Sequence, residues 1–164
     1  TPVDDLLAVL EATRPEIVFT HNLADKHDTH IGVAFKTIAA LRRLPAEARP
    51  KQLVGCEVWR DLDWMRDEDK LLYDLTGHEN LQASLMGVFD SQISGGKRYD
   101  LATAGRRRAH ATYFQAHGVD NATGLSFGMD MTPLMDPEVD PAEFVAGYIQ
   151  GFADEVRDRL GRMS

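Results

Sequence analysis

The stretch Glu16–Ile38 reads EIVFTHNLADKHDTHIGVAFKTI, and its reading decides the fold. Glu16 to Thr20 is short, apolar and β-branched, the pattern of a strand buried in an α/β sheet. Ile31, Ala34, Phe35, Ile38 and Leu41 then recur at helical spacing, predicting an amphipathic helix. Between them lies a polar segment holding His21, His27, His30, Asp25 and Asp28. A strand that ends in such a segment and passes at once into a helix is how open α/β sheets build ligand sites outside the carboxyl ends of their strands.

Outward from this stretch the same alternation continues. Thr1 caps a first helix with Pro2 at its first position, Val3, Leu6, Leu7 and Leu10 share its inner face, and Arg14-Pro15 ends it. Gln52 to Trp59 is the next strand, so helix, strand, helix, strand predicts an α/β fold with a mostly parallel sheet and flanking helices. Leu71 to Asp74 reads as a short strand, and Glu79–Ser91 and Asp100–His117 read as helices separated by Gly95-Gly96. Asn121–Asp140, rich in Gly, Met, Asp and Pro, reads as a surface-wrapping loop whose Met129, Met131 and Met135 serve adaptable packing. Pro141 starts a last helix with Phe144, Tyr148, Phe152 and Val156 at i+4 spacing and Ile149 beside them.

Composition narrows the function classes. The 164 residues suffice for one domain with a sizeable core, 43% of them apolar and 27% charged. A formal net charge of −8 excludes a general polyanion binder, and Arg106-Arg107-Arg108 reads as a solvated helix face, so no nucleic-acid partner is expected. The single cysteine, Cys56, excludes an intrachain disulfide and a thiolate metal cluster; within LVGCEVW it reads as a buried, inert thiol. No apolar run approaches the ~20 residues needed to span a bilayer, so no membrane partner is expected and a cytoplasmic location is the default. The chain opens at Thr1 directly into a helical pattern, which sets the expectation that an N-terminal segment precedes it.

His27 and His30 form an H-x-x-H pair, whose side chains face the same way on the first turn of a helix. Neutral imidazole is the commonest metal ligand, and Asp with His suits zinc. A bland alternative has Asp28 or Thr29 capping the helix while the histidines are hydrogen-bonded or solvated. Glu57 and Trp59 on the second strand, with Asp61 and Asp63 close behind, read either as a half-buried strand followed by a solvated turn or as groups reaching a substrate at the same sheet edge. Trp59 and Trp64 read as core tryptophans before sugar platforms, and His78, His110 and His117 as isolated, non-ligating residues.

The run Arg14-Pro15-Glu16-Ile17-Val18, then Thr20-His21-Asn22 and Asp25-x-His27-x-x-His30 opening a helix, resembles the second metal motif of the PIG-L/LmbE family of zinc-dependent N-acetylglucosaminyl deacetylases. GVFDSQIS, Gly87–Ser94, resembles that family's helix ending in S-Q. The resemblance covers roughly residues 1 to 115, leaving 119–164 as a variable loop and terminal helix. It implies a Rossmann-like sheet and a single domain, 1–164, forming the carboxyl-terminal part of a hydrolase that removes an N-acyl, usually N-acetyl, group from an amino sugar or related small molecule. Zn2+ or another divalent ion is the implied cofactor, with His30 as metal ligand and His27 as the catalytic histidine that stabilises the oxyanion. Asp25 is the matching motif carboxylate, taken as catalytic, and Asn22 and Gln92 are implied substrate-binding residues. Two departures stand out: His27-Asp28-Thr29-His30 replaces the family's H-P-D-H, and no A-H-P-D-D motif is present. Association with an N-terminal segment or another copy, as a homo-oligomer, is therefore implied. A non-catalytic binding or assembly module of the same fold is the alternative, and an unrelated enzyme using His21 and Asp25 as an acid/base pair without metal is a third reading.

Overall fold

A computed structural model describes residues 1–164. Helix α1 (Pro2–Thr13) starts on a capping box between Thr1 and Asp4 and ends at Arg14, whose φ of 44° is left-handed. Strand β1 (Ile17–His21), helix α2 (Asp28–Arg43) and strand β2 (Gln52–Cys56) follow. After β3 (Lys70–Asp74) come α3 (Glu79–Gly87), the single turn α4 (Ser91–Ser94) and α5 (Tyr99–Tyr113), then β4 (Leu125–Asp130) and α6 (Pro141–Gly161). The expected strands and helices are present, several of them shorter than their apolar patterns.

The sheet is open, four-stranded and mixed, in the order β1-β2-β4-β3. β1 and β2 pair in parallel from Ile17 opposite Gln52 to His21 opposite Cys56, as a strand-helix-strand crossover requires. β4 runs antiparallel to β2, with Val54 opposite Asp130 and Cys56 opposite Gly128. The mostly parallel sheet expected from the sequence is thus corrected to a mixed one. Helix-strand alternation speaks only for the β1-α2-β2 crossover, and β4 reaches β2 from far along the chain.

β4 also corrects the reading of Asn121–Asp140 as a surface loop. Leu125, Phe127, Met129 and Met131 fall on alternate positions and are buried, Met129 and Met131 completely. Met131 N donates to Leu53 O at 2.8 Å, and Leu53 N donates to Thr132 Oγ1 at 3.1 Å, extending the ladder past β4. The methionines do serve packing, but in the core.

The chain gathers into two compact units, Thr1–Leu71 with Phe127–Ser164, and Leu72–Ser126. In the first, α2 buries Ala34, Thr37, Ile38, Ala40 and Leu41. Phe35, expected on that face, is instead 47% exposed. Arg42 donates from Nε to Leu134 O (2.8 Å) and from Nη2 to Val139 O (2.7 Å), fixing the segment that leads to α6. α6 is capped by Asp140, its Phe144 and Tyr148 rings meet edge to face, and none of its residues is fully buried. The second unit joins Leu75 N to Gly124 O at 2.9 Å and Arg107 Nη1 to Gln82 Oε1 at 2.9 Å, so one arginine of the basic triplet serves helix packing. No helix is long and apolar enough to cross a membrane.

Candidate metal and acid/base site

The parallel register places the ends of β1 and β2 side by side, and every residue of the site follows from that alignment. Asn22 prolongs the pairing: its backbone N–H and its side-chain Nδ2 both donate to Cys56 O, at 3.2 and 2.8 Å. The amide of Asn22 is wholly buried, and its Oδ1 has no hydrogen-bond partner. Gly55 accepts this approach because it lacks a Cβ, which would lie 2.9 Å from Asn22 Cα and 2.8 Å from Met131 Sδ. The thiol of Cys56 is pushed up from its ordinary value by burial and then by the Glu57 charge, which suits an inert sulfur.

Asp25 is the centre of the next turn. Its side chain is fully buried, with Oδ1 accepting from His27 N at 2.9 Å and Oδ2 accepting from Trp59 N and Arg60 N at 3.0 and 3.3 Å. Burial pushes its pKa upward, but the three backbone donors and nearby His30 overcome this and hold the carboxyl below its ordinary value. Asp25 therefore stays ionised as a clamp between the β1-α2 loop and the segment after β2. Both of its oxygens are engaged, so its contribution runs through the histidines that it orients.

The three histidines stack. The His21 and His30 ring centroids lie 4.2 Å apart with planes 7° from parallel, and His27 and His30 lie 4.7 Å apart at 20°. His27 is the N-cap residue of α2, with extended backbone and no side-chain cap bond, so neither Asp28 nor Thr29 is the cap. His30 Nδ1 stands 3.5 Å from Asp25 Oδ1, an ion-pair distance longer than a hydrogen bond. The buried Nδ1 atoms of His21 and His30 have no hydrogen-bond partner. Burial, and then His30, lower the pKa of His21 against an opposing pull from Asp25, which keeps that imidazole neutral near pH 7. Trp59 packs 6.2 Å from the His27 ring, with Lys26 Nζ 5.8 Å from the indole centroid.

This donor set fits a divalent ion in part. A carboxylate facing one nitrogen of an imidazole is the arrangement that orients a metal-binding histidine, and His30 has it from Asp25. His21 and His30 do not converge on one ion, because lone pairs lie in the ring planes and these planes are nearly parallel. No group of three or more His, Cys, Asp or Glu side chains gathers around a common point. Of the expected residues, the structure brings His21, Asn22, Asp25, His27 and His30 together at one sheet edge. Gln92 belongs to the second unit, on exposed α4, where its Nε2 donates to Ser91 Oγ at 3.4 Å.

Glu57 is the residue whose part the sequence conceals. Its carboxylate turns back, Oε1 accepting from Leu62 N at 2.9 Å and Oε2 from Phe127 N at 3.0 Å. A glutamate directly after an apolar strand carries no spacing signal for such a fold-back. Comparison with protein-family models, with curated proteins and with solved structures found no match to this chain.

Proposed function

We propose that this chain carries part of the active site of a metal-dependent N-deacylase of the PIG-L/LmbE kind, acting on an N-acylated amino sugar or related small molecule. The observation that carries the reading is the buried Asp25 carboxylate facing His30 while it fixes the backbone of His27. In this reading His30 holds the ion, Zn2+ or another divalent cation. A bound ion supplies Lewis-acid polarisation of the acyl oxygen and activation of water. His27, on the exposed side of the stack at the start of α2, donates to the developing oxyanion and then protonates the leaving amine. The general base and the other ligands come from outside these residues. β1 offers a place for an added segment or another copy, since it is an edge strand with Ile17 45% and Phe19 57% exposed. A cytoplasmic homo-oligomer belongs to the same reading.

The test is acetate release from N-acetylglucosamine derivatives by the protein expressed from its whole reading frame. His27→Ala is expected to lose on the order of 10²- to 10⁴-fold in kcat while retaining its metal. Turnover equal to wild type in that variant removes His27 from the chemistry. A second reading, a non-catalytic module of the same architecture, is favoured by the lack of a converging ligand set. It predicts no acetate release from any of these substrates.

A further inference from the structure

Building on the reading of His27 as the catalytic histidine, we propose that Glu57 is a positioning residue for His27, acting through the loop after β2 and through Asp25. The Glu57 carboxylate ties Leu62 N to Phe127 N, at 2.9 and 3.0 Å. It thereby closes residues 57–62 into a ring anchored on β4, with Leu62 fully buried beneath. Trp59 N and Arg60 N, carried by that ring, point at Asp25 Oδ2. The other oxygen of Asp25 holds His27 N and faces His30 Nδ1. A half-buried carboxylate and a buried one, in series, thus connect a core strand to the N-cap of α2. Each accepts from backbone N–H donors with both oxygens, and hydrogen bonds are directional where apolar packing is not.

A loop held only by its own turns would place Trp59 and Arg60 with the freedom usual for an exposed segment. With Glu57 in place, the two amides that anchor Asp25 inherit the rigidity of β4. The amide of Glu57→Gln brings an N–H₂ group against Leu62 N–H or Phe127 N–H, and one bond of the series becomes a donor facing a donor.

The test begins with native-state hydrogen exchange on the wild-type chain. The amides of Leu62, Phe127, Trp59, Arg60 and His27 are expected to open together, with protection factors within about tenfold of one another. In Glu57→Gln all five are expected to lose protection by a common factor, with the amides of α1 unchanged. In the whole enzyme the same variant is expected to lower kcat with KM held within about twofold. Exchange of His27 uncoupled from Leu62 in the wild type, or His27 and Arg60 protected as before in Glu57→Gln, overturns the proposal. The wild-type measurement decides the matter even if the variant does not fold. Because exchange requires no turnover, coupled opening without acetate release refutes the deacylase reading alone. Acetate release with uncoupled opening refutes the part given to Glu57 alone.

Discussion

Asp25 accepts three backbone N–H bonds in a fully buried position, and replacing it by its own amide tests how much they hold. Asp25→Asn turns one acceptor oxygen into a donor facing a donor and is expected to destabilise the fold by about 1–3 kcal/mol. Urea denaturation, read as the midpoint at constant slope, measures it. The same residues set a pH dependence whose sign is fixed. Burial, and then His30, depress His21, so the unfolded chain binds more protons below about pH 6.5 and the folded chain loses stability there. The depressed carboxyl of Asp25 adds stability that is present above about pH 4 and is lost as pH falls through its folded value. Chelator-treated protein should therefore melt at lower temperature at pH 5.5 than at pH 7.5, and His21→Phe should flatten the difference. An equal slope in that variant would assign the effect to other groups.

At the scale of elements, the strand pair β2-β4 carries the clearest test of packing. Gly55→Ala places a methyl group against Asn22 backbone and Met131 Sδ, and is expected to destabilise by about 1–3 kcal/mol. Two phenylalanines give opposite expectations from the same residue type. Phe127→Ala in β4 empties a fully buried site and should destabilise by about 3–5 kcal/mol, whereas Phe19→Ala in the edge strand should change stability by less than about 1 kcal/mol. Denaturation of the two variants side by side checks the assignment of β4 to the core. Similar losses in both would contradict it. What was legible in the sequence follows the same division. α1 was readable from Thr1, Pro2 and Arg14-Pro15, and the β1-α2-β2 unit from its change of apolar period, because caps and periodicity are local signals. β4 was concealed because Gly128 and Asp130 interrupt its apolar run, Pro133 follows it, and its partner β2 lies far away along the chain. The alternation Leu125, Phe127, Met129, Met131 was the available signal.

For the whole molecule, three stacked histidines and a buried carboxylate lie together at the ends of β1 and β2. The spacing of His27 and His30 predicted their meeting, and the structure adds His21 to the stack. The series Glu57, Leu62, Phe127 and Asp25 joins residues distant in sequence through backbone amides, which carry no side-chain pattern to read. Ile17 and Phe19 are exposed on edge strand β1, the strand that ends at His21. The central claim is that His30, oriented by Asp25, is a metal ligand. Its most direct test is elemental analysis of the protein expressed from its whole reading frame, wild type beside His30→Ala, after zinc supplementation. About one zinc per chain is expected in the wild type, lost in the variant, because a catalytic zinc has few protein ligands and the removal of one is felt. Zinc retained in His30→Ala, or no metal bound by the wild type, would contradict it.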